Sequence, residues 1–239
     1  MAGETLEALE TVGAPDDASD RRPVRTMPHG RTLEWAVHRA GLGPVAGVDE
    51  AGRGACCGPV TIAACILPPG PLPELEGLTD SKKLSASRRD FFYDRVLSVA
   101  VDWAVVNVPA SYVDRWGIQH ANLGGMRRAV ARLDVRPGYV LTDAMKVDGL
   151  TRPHLPVLKG DLVSRCISAA SVLAKVTRDR MMVELDEQYP GYGLAGHKGY
   201  GTASHMESVS LQGGTPEHRY TYSNVAAAHA RWCEQQKKK

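Results

Sequence analysis

The segment Val45–Val60, VAGVDEAGRGACCGPV, constrains this chain more than any other stretch. An apolar run ends in two adjacent carboxylates, Asp49 and Glu50. Gly52-Arg53-Gly54 follows at once, and a second apolar run, Val60–Leu67, comes next. The pattern predicts strand, turn and strand, with acids and a phosphate-sized concavity at the turn. Successive strand side chains point to opposite faces, so Asp49 and Glu50 would diverge in mid-strand. At a strand end, where Ala51-Gly52 lets the backbone bend, both can converge on one hard cation. Carboxylate oxygens suit Mg²⁺ or Mn²⁺. Gly52 and Gly54 have no Cβ, so their N–H groups can approach an anion closely. Arg53 adds a planar donor fork that matches phosphate. Taken alone, the segment reads equally well as a solvated turn shaped by its glycines, and the rest of the chain bears on the choice.

The chain has 239 residues, enough for one large domain or a domain with an appendage, and 43% are hydrophobic, enough for a real core. A net charge of only +2 gives no global signal for nucleic acid, so any such binding rests on local clusters. The five cysteines, Cys56, Cys57, Cys65, Cys166 and Cys233, are odd in number and lack CxxC spacing, which predicts reduced, mostly buried residues in a cytosolic protein. No apolar run approaches the roughly 20 residues of a spanning helix. The first twenty residues hold acids and no base, the reverse of a secretory leader. The P-loop, dinucleotide, nucleophile-elbow and HExxH patterns are all missing from the sequence.

In chain order, residues 1–30 read as a loosely attached arm, acidic and then basic. Leu33–Ala40 reads as a short helix. The loop LTDSKKLS, Leu78–Ser85, holds the turn formers Asp80 and Ser81 and the cations Lys82-Lys83, with Ser85 as N-cap of a helix Ala86–Val99. The cations are either solvated or a contact for a nucleic-acid backbone. Val101–Val108 predicts a third strand, and Tyr112–Trp116 and Ile118–Leu133 two helices. Tyr139–Asp143 predicts a fourth strand with a carboxylate at its C-terminal end, where ligands of open α/β sheets gather. Leu155–Leu158 predicts a short fifth strand. Asp161 then opens one long helix, Leu162–Gln188, as its N-cap in the positive field of the helix dipole. Lys175, Arg178, Asp179 and Arg180 read as surface pairs on it. The glycine- and tyrosine-rich loop Pro190–Gly201 suits an aromatic laid against a sugar or base, and an ordinary loop with buried tyrosines is the plainer account. Thr202–Gln212 and Asn224–Gln236 read as helices of a small C-terminal part, before a basic tail at 236–239.

Asp49, Glu50, Asp143 and Asp161 each fall at an element terminus in this scheme. Strand ends on one side of a sheet can gather them, and clustered acids repel unless cations neutralise them. Two divalent ions about 3.5–4 Å apart would do so, and would clamp the attacking and leaving oxygens of a phosphodiester.

The blocks VAGVDEAGRG (Val45–Gly54), TDSKKLS (Thr79–Ser85), VLTD (Val140–Asp143), KGD (Lys159–Asp161), ISAASVLAKVTRDR (Ile167–Arg180) and GHKGYGT (Gly196–Thr202) occur in one order. In that order the chain resembles ribonuclease HII over about Val45 to Ala228. The resemblance implies an α/β, ribonuclease H-like fold: a mixed five-stranded sheet flanked by helices, with a small C-terminal helical part. The chain then divides into an arm (1–30), which lies outside the resemblance and gains no function from it, a catalytic domain (31–189), a helical part (190–235) and a tail (236–239). The resemblance also implies Mg²⁺- or Mn²⁺-dependent cleavage of RNA in RNA–DNA hybrids, and incision 5′ of single ribonucleotides in duplex DNA leaving 3′-hydroxyl and 5′-phosphate ends. Asp49, Glu50, Asp143 and Asp161 take the catalytic and metal-binding positions. Gly52, Arg53 and Gly54 match the segment that recognises the ribonucleotide 2′-hydroxyl, the handle that separates RNA from DNA. Tyr200 matches a tyrosine that stacks on the junction sugar, and Lys82 a lysine that contacts the backbone. A monomer in the cytoplasm, away from membranes, suits this reading. Ala144 departs from it, standing where a glycine often follows the third carboxylate, and the tail holds no convincing clamp-binding peptide. Another two-metal nuclease of this fold class would share the acids without needing Gly52-Arg53-Gly54 or Tyr200. A binding protein with a vestigial site would not need all the acids.

Overall fold

The computed structural model describes residues 30–238. Residues 1–29 of the arm and the last residue of the tail lie outside the described residues. Strand β1 (Val45–Ala51) forms the middle of a five-stranded sheet of order β3-β2-β1-β4-β5. It pairs antiparallel with β2 (Val60–Ile66) and parallel with β4 (Tyr139–Asp143). Outside these, β3 (Asp102–Val108) is antiparallel to β2, and β5 (His154–Val157) is parallel to β4. The sheet is mixed and five-stranded, as the resemblance implies.

Strand periodicity sorts the side chains into two cores. Val45 with Ala63 and Cys65 of β2 packs on one face, beneath α2 (Ala86–Val99) and α6 (Arg165–Gln188). Ala46 and Val48 with Ile62, Ala64 and Ile66 pack on the other, against Met126, Ala129 and Val130 of α4 (Ile118–Ala131). Helix α3 (Ala110–Trp116) precedes α4, and α1 (Thr32–Arg39) precedes β1. A third cluster, including Cys57, Met182, Tyr192, Val209 and Ala228, seats α7 (Leu194–His197), α8 (Ala203–Gln212) and α9 (Ser223–Gln236) on the far half of α6.

The approach of α6 to β1 depends on small residues. A Cβ on Gly47 would lie 2.2 Å from the backbone carbon of Cys166 and 2.3 Å from the nitrogen of Ile167. These are backbone atoms that cannot turn aside. Gly47→Ala is therefore expected to lower stability by about 1–3 kcal/mol, read as a drop in the urea midpoint. An unchanged midpoint would show that α6 slides on the sheet at little cost.

The predicted long helix is two helices, a correction to the sequence reading. A turn, α5 (Gly160–Val163), ends at Ser164, whose φ −127° and ψ 123° are extended, and α6 begins at Arg165. The cause lies 130 residues away in the sequence. Buried Glu34 of α1 accepts from Ser164 Oγ at 3.1 Å and from the Cys166 N–H at 2.8 Å, and Arg31 pairs with it at 3.0 Å. A carboxylate from another element thus caps α6, and Asp161 is left to serve elsewhere.

Candidate active site

β1 and β4 run parallel with Val48 opposite Thr142, so the next residues along, Asp49 and Asp143, emerge side by side where that pairing ends. Asp49 and Glu50 lie within β1, still in register with Ala63 and Ile62 of β2. Strand alternation therefore separates them, and the convergence through a bend expected of Ala51-Gly52 is not how they meet. Asp49 points to the α6 side, where Ser171 hydrogen-bonds it, and Glu50 points to the α4 side, beside Asn122. They are brought back together by a cavity of about 550 Å³ at the sheet end that both line. The Glu50 N–H donates to Asp49 Oδ1 at 2.7 Å.

The other two acids come from the next crossover. The Gly160 N–H donates to Asp143 Oδ1 at 2.7 Å, which ties the start of α5 to the end of β4. Asp161 follows, buried, and Ser168 Oγ of α6 holds its carbonyl at 2.7 Å. Three non-glycine residues with left-handed backbone flank the site: Ala144 (φ 51°) after Asp143, Lys159 (φ 54°) before α5, and Lys198 (φ 52°) before the Tyr200 turn. Such residues cost about 1–2 kcal/mol each. Ala144 adopts a glycine-like conformation, so its departure from the family pattern changes strain rather than loop shape, with its N–H donating to Val157 O at 2.9 Å.

The electrostatics are those of crowded acids. Burial pushes the Asp49 carboxyl well above the ordinary range, and the charges of Glu50 and Asp143 push it further. Burial also raises Glu50, against the pull of Asn122 and Arg53. Asp161 is pushed up to about 6 by burial, then by Asp80 and Asp143. Lys82 is raised: burial works against its charge, but Asp49, Asp80, Asp161 and Asp143 outweigh it. Acids raised by one another's charge favour a cation between them. The donors are all oxygen, the set that suits a hard divalent ion.

Ala51, Gly52, Arg53, Gly54, Lys82 and Tyr200 line the same cavity as Asp49 and Glu50, so all five predicted substrate-binding residues gather there. Asp143 and Asp161 do not line it. Asp143 raises Asp49 and Glu50 by its charge, and Asp161 acts on Lys82 at the cavity's edge. Arg53 donates to Gln119 Oε1 at 3.2 Å, and Tyr200, which lines the cavity, is 44% exposed.

A family model described as Ribonuclease HII matches residues 46–225. The chain belongs to the ribonuclease HII family. Its relatives include a ribonuclease HII of Corynebacterium jeikeium (strain K411), 64% identical over 205 residues, covering 84% of this chain and 97% of that one. The crystal structure of ribonuclease H2 from Pyrococcus horikoshii OT3 is 26% identical with a TM-score of 0.70, covering 80% of this chain and 99% of that one. Bst-RNase HIII in complex with Mn²⁺ shares the fold at 18% identity and a TM-score of 0.61, over 95% of this chain and 79% of that one. As a ribonuclease HII the chain is an endoribonuclease, a hydrolase acting on RNA in RNA–DNA hybrids. No helix among the described residues is long and apolar enough to cross a membrane.

Beside this candidate site the structure places residues that sequence reasoning missed. Asp80, read as a turn former, hydrogen-bonds the Asp161 carboxyl and accepts from the Lys82 N–H at 2.8 Å. Lys175 and Ser171 line the cavity, with Ser81 Oγ 2.8 Å from Ser171 Oγ. Lys175 does pair with Asp179, at 2.7 Å, but Arg178 is no surface residue. Arg178 is 1% exposed and spends its guanidinium on the carbonyls of Cys57, Pro59 and Lys198 at 2.9–3.0 Å. Arg219, 0% exposed, binds the carbonyls of Gly52, Arg53, Ala55 and Gly58. The two guanidiniums cage the Gly52–Gly58 loop from beneath. All five cysteines are free thiols and four are buried, as expected.

Proposed function

We propose that this enzyme cuts RNA strands in RNA–DNA hybrids and incises duplex DNA on the 5′ side of a single embedded ribonucleotide, leaving 3′-hydroxyl and 5′-phosphate ends, with two divalent ions, Mg²⁺ or Mn²⁺. The observation that carries this is the gathering of Asp49, Glu50 and the Gly52-Arg53-Gly54 loop on one cavity, with Asp143 acting on its acids and Asp161 on its Lys82. Asp49, Glu50, Asp143 and Asp161 would hold the ions. When bound, the ions supply an activated water and charge neutralisation at the leaving oxygen.

The protein's own residues do the rest. Ser171 and the Glu50 N–H fix the Asp49 carboxylate, and the Gly160 N–H fixes that of Asp143. Lys82, at the rim, meets a backbone phosphate. Gly52 adopts φ 82°, and a Cβ there would lie 1.8 Å from Arg178 Nε, so only glycine keeps the loop on its support. The loop's backbone and Arg53 then face the ribose 2′-hydroxyl and its phosphate, and Tyr200 stacks on the sugar. Catalysis belongs to a unit over 31–189, with the helical part over 190–235 delivering Tyr200, and a monomer in the cytoplasm is sufficient for it.

The test is a labelled DNA duplex with one ribonucleotide, incubated with Mg²⁺, with Mn²⁺ and with chelator. The expected result is one metal-dependent cut 5′ of the ribonucleotide. Cleavage of a long hybrid alone would keep the acidic site and overturn the single-ribonucleotide reading. Arg53→Ala is expected to cut kcat/KM on the single-ribonucleotide duplex by about 10- to 100-fold, as for loss of one charge-assisted contact of roughly 1.5–3 kcal/mol. Its binding to all-DNA duplex should change less. Equal losses on both would make Arg53 a phosphate anchor without selectivity.

A further inference from the structure

Outside the acidic cavity, two histidines meet in the interior. His205 of α8 is 0% exposed and His218 is 1% exposed. Their Nε2 atoms are 3.0 Å apart. Two neutral nitrogens at that distance need one proton between them, and the neighbours decide whose it is. The Thr215 backbone N–H donates to His218 Nδ1 at 3.0 Å. A nitrogen that accepts from a peptide N–H carries no proton, so the proton of His218 is on Nε2. His218 Nε2 then donates to His205 Nε2, and the proton of His205 is on Nδ1. That atom lies 2.9 Å from the carbonyl oxygen of Tyr200. One assignment of tautomers therefore satisfies the whole chain, with both rings neutral and every bond running the same way. Burial lowers both rings in agreement with this, His218 to about 4.

Cys57 Sγ and the two histidines also offer atoms within 4.8 Å of one another, a set that suits a transition metal. A metal would need the Nε2 lone pair of His218, which the Thr215 N–H leaves protonated. Burial also pushes the Cys57 thiol up to about 12, away from the thiolate that a metal takes.

We infer that the His205–His218 pair is a positioning device for Tyr200, a one-way chain of hydrogen bonds from the Thr215 N–H through two neutral imidazoles to the Tyr200 carbonyl. The ring of Tyr200 projects into the cavity half exposed, so its place is set through its backbone. That backbone is tied at three points. Its N–H donates to His197 O at 3.0 Å, its carbonyl accepts from the Thr202 N–H at 2.9 Å, and the same carbonyl accepts from His205. Of these three, the His205 bond is the one that leads on to the segment 215–218, which continues into Arg219 beneath the Gly52–Gly58 loop. The Cys56 and Cys57 N–H groups of the glycine loop already hold the Gly199 carbonyl at 2.9 and 3.1 Å, one residue before Tyr200. The histidine pair adds the tie at Tyr200 itself, and so sets how the tyrosine is oriented towards that loop. This inference rests on the reading of Tyr200 as a sugar contact.

Three variants test it on two substrates, the single-ribonucleotide duplex and a long RNA–DNA hybrid. His205→Phe keeps a ring and removes both bonds. His205→Gln keeps one acceptor and one donor. Tyr200→Ala removes the stacking ring. The expected result is a loss in kcat/KM of about 10- to 100-fold for His205→Phe on the single ribonucleotide, mostly in KM, with a smaller loss on the long hybrid. His205→Gln should recover most of it. If Tyr200→Ala leaves the ratio between substrates unchanged, the sugar-contact reading fails and the positioning role with it. If Tyr200→Ala shifts the ratio and His205→Phe does not, the pair alone is overturned. Nitrogen-15 NMR of the native protein gives an answer even if a variant fails to fold. Protons on His205 Nδ1 and His218 Nε2 support the chain, and the opposite tautomers or one equivalent of bound zinc overturn it.

Discussion

Asp49→Asn is expected to lower turnover by about 10³-fold or more while raising the melting temperature of the metal-free protein. Both effects have one cause. Asp49 is buried beside Glu50 and Asp143, and its folded carboxyl titrates well above the unfolded value. A group raised in this way stabilises the fold while protonated and loses that contribution as pH rises through the interval between its unfolded and folded values. At neutral pH the ionised carboxylate is a net cost. For Asp161, pushed to about 6 from an ordinary 3.8, that interval is roughly pH 4–6, and metal-free stability should fall across it. Asparagine has nearly the same volume and no charge, so the variant escapes the Asp49 share of the cost. Each kcal/mol recovered raises the melting temperature by about 2–4 °C in a chain of this size. Wild type should instead gain about 2.7 kcal/mol from a divalent ion at a hundredfold excess over its dissociation constant. Thermal melts at pH 5 and 7, with Mn²⁺ and with chelator, read all of this. Near-normal cleavage by the variant, or an undiminished metal-induced rise, would remove Asp49 from the metal site.

Arg219→Ala is expected to cost about 4 kcal/mol or more, among the largest single-residue effects in the molecule. The guanidinium serves the carbonyls of Gly52, Arg53, Ala55 and Gly58 and the hydroxyl of Tyr222, all on or beside the glycine loop. Each buried carbonyl left without a donor costs about 1–3 kcal/mol, and solvent cannot reach all of them. Arg219→Lys supplies a charge but not the planar fork, so it should fold and lose stability by a smaller amount. The informative readout is selectivity. With the loop loosened, Arg219→Lys should lose more activity on the single-ribonucleotide duplex than on a long hybrid. A lysine variant with wild-type urea midpoint and wild-type selectivity would show that the loop holds its shape without this arginine.

Most elements were legible because their signals are local. Ser85 caps α2 from the residue the sequence indicates, accepting from the Arg88 N–H at 3.3 Å. Thr202 caps α8 in the same way, from the His205 N–H at 3.2 Å. Apolar runs that lead into carboxylates mark β1 and β4, so the candidate acids could be named, although Asp49 and Glu50 lie within β1 and not beyond its end. Asp161 was placed at the right end of the right segment for an incorrect reason. The helix it was to cap starts at Arg165, and Glu34 caps it. Asp80 was passed over because Asp in a turn is ordinary, and only its contact with Asp161 distinguishes it.

The sequence by itself determined the order of strands and helices, the family, and the acids and glycines at the strand ends. Periodicity, capping and turn chemistry act over a few residues, and a chain carries them in plain view. Only the tertiary structure decided which polar residues are structural supports. Arg219 and Gly52 are 167 residues apart, Arg178 and Cys57 121 apart, and Cys166 and Glu34 132 apart. Their partners are backbone carbonyls, N–H groups and a lone carboxylate. Every residue presents such groups alike, so a buried arginine or histidine has no sequence signal for the atom it serves until the fold has brought the two together.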